Sequence, residues 1–301
     1  MSGVDVSRET DRSSKAVIGI RRLKEAMPRP LKTRLFTVAN QKGGVGKTTS
    51  AVNIAAALAM GGLKVLVIDL DPQGNACTAL GVDREGEGMY ELFVDERPLA
   101  AIIQKVAGFP HLECAPANQE LAGAEISMVN MVARESILKL ALGDYLAQRE
   151  AAGDRLDYII IDCPPSLGLL TINALTAADE VLVPIQCEYY SLEGISLLVS
   201  TLAKIKRALN PAVRITTILL TMFDSRTRLA NDVANDVRAH FPQELIDIPI
   251  PRAVRVSEAP SFRQTVMTYD ASSPGAIAYM QVAREIAIRG ATNPESGAIT
   301  A

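Results

Sequence analysis

The alternation of short apolar runs with longer helix-patterned stretches most limits what this 301-residue chain can fold into. Six runs, "LFTVAN", "KVLVIDL", "YIIIDCP", "EVLVPIQ", "RITTILLT" and "LIDIPI", are rich in Val, Ile and Leu and do not alternate polar with apolar. Strands covered on both faces read this way, so a parallel sheet is expected. Helix candidates lie at 47–60, 132–149, 168–177, 191–209, 227–241 and 274–289. Gly61-Gly62 ends the first of these and Asn210-Pro211 the fourth. The order gives an α/β fold: a doubly wound, mostly parallel sheet with helices on both faces. No repeat or long linker divides the chain. One domain over 34–290 is expected, with a polar, basic, largely disordered tail at 1–33 and a polar tail at 291–301. Within the first tail, "AVIGIRRLKEAM" could form a short helix that binds a partner or an acidic surface, or could be a solvated basic stretch.

"QKGGVGKTT", residues 41–49, follows the first apolar run and opens the first helix. Strand, glycine-rich turn and helix N-terminus together make an anion cradle. The template G-x-x-x-x-G-K-[ST] would need glycine where Gln41 stands. Gly43, Gly44, Val45 and Gly46 would wrap phosphates with backbone N–H groups. Lys47 would reach the β- and γ-phosphates, Thr48 would bind Mg²⁺, and Thr49 would hold a further phosphate oxygen. A glycine-rich turn can also serve packing alone, but strand, turn, Lys-Thr-Thr and helix all agree here.

Acids end two of the other strands. "VIDLDPQGN" carries Asp69, read as structural, and Asp71, which could orient an attacking water. "YIIIDCPPS" carries Asp162, either a cap or a Mg²⁺-side acid.

Other chemistry is sparse. Cys77, Cys114, Cys163 and Cys187 form no C-x-x-C pair, and His111 and His240 lack metal-ligand spacing. No apolar stretch is long enough to span a membrane and no signal-peptide core is present, so a cytoplasmic protein is expected. Net charge is 31 − 34 = −3, yet residues 201–255 hold nine bases and five acids, or +4.

"KGGVGKTT", "DLDPQGN", "DCPPSLGLLTINAL", "EVLVPIQCEYYSLEGIS", "TMFDSRTRLANDV" and "IPRAVRVSEAPS" together resemble the ParA/Soj chromosome-partitioning ATPases, of the deviant Walker A class that also holds MinD-like proteins. The resemblance runs from about residue 34 to about 290. It implies an ATP hydrolase using ATP and Mg²⁺, slow and partner-stimulated, that dimerises around ATP. Lys42 would reach the phosphates of the other subunit, where a cation from a second chain stabilises the transferred phosphoryl group. Gly43 would lie against the facing chain, Asp71 would position water, and Asp162 would sit on the Mg²⁺ side. Met222 and Pro251 would flank the adenine, although a core methionine at a strand end reads equally well at 222. Ala253 departs from the Asn that usually follows Pro-Arg in relatives.

The resemblance also implies non-specific double-stranded DNA binding by the dimer, through Arg226 and Arg255, both within the +4 region. The implied partner is a ParB-type centromere-binding protein, and the implied location is the nucleoid. Three readings compete. A MinD-like membrane-associated ATPase calls for a basic amphipathic end, unlike "REIAIRGATNPESGAITA". An iron–sulfur carrier calls for cluster-holding cysteines. A scaffold that binds ATP without hydrolysing it would not need Asp71.

Overall fold

The computed structural model of the chain describes residues 25–188 and 191–292. In chain order its elements are β1 (Arg34–Val38), α1 (Lys47–Met60), β2 (Val65–Asp69), α2 (Asn75–Leu80), α3 (Met89–Val94), α4 (Leu99–Ile102), β3 (Gln104–Lys105), β4 (Leu112–Ala115), α5 (Leu121–Ser127), α6 (Ile137–Ala151), β5 (Tyr158–Asp162), α7 (Leu169–Ala177), β6 (Glu180–Gln186), α8 (Ser191–Ala208), β7 (Arg214–Thr221), α9 (Arg228–His240), β8 (Leu245–Ile246), α10 (Val254–Glu258), α11 (Val266–Tyr269) and α12 (Pro274–Thr292). The strands form one sheet in the order β3-β4-β2-β5-β1-β6-β7-β8. Every neighbouring pair is parallel except β3 with β4. This is the doubly wound α/β sheet expected from the apolar runs.

Both faces are covered. Phe36, Val38, Val65, Val67, Tyr158 and Ile160 point to one side, beneath α1, α2, α11 and α12. Leu66, Ile68, Ile159 and Ile161 point to the other, beneath α3 to α7, and Val181, Val183, Ile185 and Leu220 meet α8 and α9 there. Each large side chain so buried stabilises by roughly 1.5–3 kcal/mol. Helix α1, "KTTSAVNIAAALAM", is buried almost all round. Its alanines let it lie between the sheet and α12, where Ser50 Oγ and Tyr279 Oη meet at 3.3 Å.

Pro184 sits inside β6, a central strand, where a missing N–H normally disrupts the ladder. The β1 ladder has already ended at Leu182. The Pro184 carbonyl, on that same side, instead accepts from Asn40 Nδ2 at 2.8 Å. The strand therefore tolerates proline where its β1 neighbour has run out.

The chain leaves β1 through α1 toward β2, and reaches β6 from β5 through α7 in the opposite direction across the sheet. The crevice between these departures opens at the carboxyl end of β1, where ligands bind in open sheets.

Some boundaries differ from expectation. The 1–33 boundary cuts through packed structure: Met27 is 4% exposed, and its N–H donates to the Gly61 carbonyl. Arg29 pairs with buried Asp157 at 2.9 Å. The rest of "AVIGIRRLKEAM", through residue 24, lies outside the described residues, as do 293–301. The helix expected at 132 starts at Ile137, because Ala133 takes a left-handed backbone (φ 53°) and the free Leu138 N–H is capped by Asn173 Oδ1 from α7. The last apolar run yields only the two residues of β8. Strand β4 was not foreseen. Its four residues enclose Glu113, whose charge is met by Arg149 at 2.8 Å.

Candidate nucleotide-binding site

The loop between β1 and α1 turns on two left-handed glycines, Gly44 (φ 74°) and Gly46 (φ 86°), a conformation that costs L side chains. Gly46 caps α1, and no side chain caps the helix there, so its first N–H groups face the crevice as anion donors. A Cβ added at Gly43 would meet nothing within 4 Å, so this edge of the loop is open. Val45 is buried, and its carbonyl accepts from Thr221 Oγ1 at 2.8 Å, stitching the loop to the end of β7. Asn40, buried at the strand end, accepts from the Lys42 N–H at 3.0 Å. These contacts tie the cradle to the ends of β1 and β7.

The two lysines diverge. Lys47 is 7% exposed, and its Nζ turns back onto the Lys42 carbonyl at 3.4 Å. Burial pulls its ammonium below the usual lysine range, opposed by Asp162, Cys163 and Asp71. Lys42 turns away, with its Nζ 2.9 Å from Glu188 Oε2.

The sheet register sets Asp162 between Val38 of β1 and Asp69 of β2. Both Asp162 oxygens are buried and neither has a well-formed hydrogen-bond donor. Burial drives its carboxyl well above the ordinary range and Asp69 adds to this, while the Thr48 hydroxyl and the Lys47 ammonium act in the opposite sense. A buried acid left so is costly, and a cation beside it would offset that cost. The donor set of Thr48 hydroxyl and one carboxylate suits a hard cation shared with phosphate oxygens and water. Among the described residues no cluster of three or more His, Cys, Asp or Glu offers a self-contained metal site.

Asp69 and Asp71 divide their work. Asp69 is fully buried. It accepts from the Asp71 N–H at 3.1 Å and from both the N–H and the thiol of Cys77 at 3.0 Å. Burial pushes its carboxyl up to about 6. Asp71 lies at the crevice edge, 9% exposed, and accepts from the Gln73 N–H at 3.0 Å. The four cysteines are all buried and free. A groove of about 640 Å³ lined by Phe93, Leu99, Ile137 and Leu140 contains none of these residues, and a space of about 250 Å³ lies beside Thr48 and Thr49.

A family model described as an AAA domain matches residues 33–215. The chromosome partitioning protein ParA of Myxococcus xanthus is 45% identical over 255 residues, 84% of this chain and 87% of that protein. The sporulation initiation inhibitor protein Soj of Bacillus subtilis is 46% identical over 259 residues, 85% of this chain and 99% of that protein. The chain belongs to the ParA/Soj family of chromosome-partitioning ATPases. Among solved structures, cobyrinic acid a,c-diamide synthase of Mycobacterium smegmatis with bound ATP analogue and magnesium is similar at TM-score 0.71 and 36% identity, over 85% of this chain and 95% of that one. The ParA and Soj proteins are the more alike in sequence, so the family follows them.

In this ParA/Soj-family chain, the two segments expected at the base lie side by side. The Phe223 N–H donates to the Ile250 carbonyl at 2.9 Å, and Phe223 bridges Pro251. Met222 has a left-handed backbone (φ 50°) and is only partly buried, so it is not a core methionine. Arg226 and Arg255 both follow strand ends on this side of the sheet, and each is engaged by acids. Arg226 is 87% exposed and bonds Asp224, whose carboxyl it holds down to about 2. Arg255 meets Glu258 at 3.1 Å and Asp270 at 3.7 Å. Arg228 and Arg238 pair with Asp232 and Asp247, acids already counted in the +4, whereas the acids that meet Arg255 lie outside residues 201–255. Lys204, Lys206 and Arg207 are exposed on α8.

Sequence reasoning missed Asn40, Glu188 and Thr221 as parts of this site. All three stood inside quoted stretches. A polar residue closing an apolar strand was the signal for Asn40.

Proposed function

We propose that the protein is an ATP hydrolase whose two copies close face to face around two ATP–Mg²⁺ and hold double-stranded DNA without reading its sequence. A ParB-type partner stimulates slow hydrolysis and releases the DNA, which distributes the protein over the nucleoid and drives partitioning. The observation that carries this reading is the divergence of the two loop lysines. Lys47 stays with its own loop. Lys42 stands at the mouth, a third exposed and held by a partly exposed carboxylate. A second copy facing the open edge at Gly43 receives that cation, and a cation there stabilises charge on the transferred phosphoryl group.

The remaining groups have distinct work. The N–H groups from Gly43 to Thr49 and the Lys47 ammonium bind and orient the phosphates. Asp71 orients the attacking water. Thr48 and Asp162 are the residues that would hold Mg²⁺, which when bound supplies positive charge that neutralises the phosphates. Met222 and Pro251 flank the adenine, without the side chain that Ala253 lacks. Arg226 and Arg255 contact DNA phosphates, and dimerisation doubles the cationic surface.

Light scattering with a non-hydrolysable ATP analogue and Mg²⁺ should report a dimer, and Lys42→Ala should report a monomer. Gel shifts on random-sequence DNA should show retention with ATP alone, not with ADP, and loss at high salt. A wild-type protein that stays monomeric with analogue bound overturns the reading.

A further inference from the structure

Arg84 belongs to no motif singled out in the sequence. All three kinds of guanidinium nitrogen donate to main-chain carbonyls. Nη2 reaches Pro72 O at 2.7 Å, Nη1 reaches Gln73 O at 2.7 Å, and Nε reaches Ala117 O at 3.0 Å. Among the described residues no carboxylate forms an ion pair with it. Arginine in this role is a clamp with fixed geometry, and a point-charge ammonium could not replace its fork. The clamp joins the turn after β2 to the loop after β4.

The turn it grips is the one that carries Asp71. The carbonyl of Pro72 and the N–H of Gln73 belong to one peptide group. Arg84 donates to the oxygen of that group, and its N–H donates to Asp71 Oδ1 at 3.0 Å. A positive donor on the carbonyl polarises the peptide and strengthens its N–H as a donor. From the other side, the Asp71 N–H is fixed by Asp69 Oδ1. The Gly74 N–H closes the turn on the Asp71 carbonyl at 2.8 Å. Gly74 is left-handed (φ 63°), and a Cβ there would fall 2.0 Å from Arg84 Nε, so turn and guanidinium are packed against each other.

We infer that Arg84 is a positioning residue for ATP hydrolysis, holding the Asp71 carboxylate in its water-orienting rotamer through the Pro72–Gln73 peptide. The inference rests on the proposed role of Asp71. It adds that this role depends on a side chain 13 positions later that touches neither phosphate nor water.

The test measures kcat, KM and analogue affinity for Arg84→Gln, Arg84→Lys, Asp71→Ala and the Asp71→Ala/Arg84→Gln double variant, with the melting temperature of each. Arg84→Gln should lower kcat about 10- to 100-fold, the scale for misplaced catalytic groups, with KM and analogue affinity within about threefold. Arg84→Lys, which can keep one carbonyl contact, should fall between. In the double variant the Arg84 change should cost nothing more, because its effect runs through Asp71. Wild-type kcat in Arg84→Gln, alongside an inactive Asp71→Ala, overturns this inference alone. So does a loss of affinity in proportion to kcat, or an equal further loss in the double variant, since either means general disruption. Wild-type kcat in Asp71→Ala overturns the underlying reading and the inference with it.

Discussion

Lys42 Nζ lies 2.9 Å from Glu188 Oε2, so the lysine at the loop mouth is held by its own chain. Both side chains are partly exposed, 34% and 46%, and such a pair is worth about 0.2–1 kcal/mol. In the proposed dimer, a second copy would compete against little in taking up Lys42. Glu188→Gln should tighten analogue-driven dimerisation about two- to tenfold, with two pairs released per dimer. The gain should shrink as salt rises. Sedimentation equilibrium at two ionic strengths checks this, and an unchanged dimer constant separates the ion pair from assembly.

The unpartnered oxygens of Asp162 point to a cation requirement. Asp162→Asn should weaken the Mg²⁺-dependent part of analogue binding by at least the roughly tenfold lost when groups around a metal are removed. Binding measured in EDTA should change far less. Calorimetric titrations with and without Mg²⁺ distinguish these. Equal losses in both would make Asp162 a packing residue. Thr48→Val should behave in the same way.

Asp69 makes stability depend on pH. Its folded carboxyl, at about 6, lies above the unfolded value of about 3.9. The native state then binds the extra proton. The stability this group contributes is complete below pH 4 and is lost as pH rises through 6. Asp69→Asn removes that dependence. The wild-type minus variant difference should fall by at most about 3 kcal/mol between pH 4 and pH 7. Urea unfolding across that range measures it, and a flat difference would mean that the carboxyl titrates normally.

For Arg226 and Arg255 to contact DNA as proposed, each must exchange a carboxylate for a phosphate. Arg226→Gln and Arg255→Gln should each lower the slope of log affinity against log salt by about 1, with no dependence on DNA sequence. ATP-driven dimerisation should be unchanged in both. Fluorescence anisotropy at several salt concentrations reads the slope. Loss of the dimer in either variant would merge two surfaces that are held here to be separate.

The strands that build the centre of the sheet were legible because they are buried on both faces, which leaves unbroken runs such as "YIIID" and "VLVID". The phosphate loop was legible because glycine spacing and Lys-Thr-Thr are local chemistry. Strand β4 was not, because Glu113 interrupts it and its charge is met by Arg149 36 residues later. The start of α6 was not, because its cap comes from Asn173 in another helix. The anchoring of Met27 and Arg29 was not, because polar flanks of this kind pack only when a partner such as Asp157 is waiting.

The sequence by itself determined the parallel α/β architecture, the cradle at residues 41–49 and the acids at strand ends, because each depends on side chains close together in the chain. The tertiary structure alone decided which groups from distant segments meet. It set Asp162 between β1 and β2, turned Lys42 to Glu188 and Lys47 inward, and brought Arg84 onto the turn that carries Asp71. These encounters follow from strand order and crossover direction. Apolar burial drives that arrangement, but it acts without direction, so no short stretch of sequence records which polar groups it brings together.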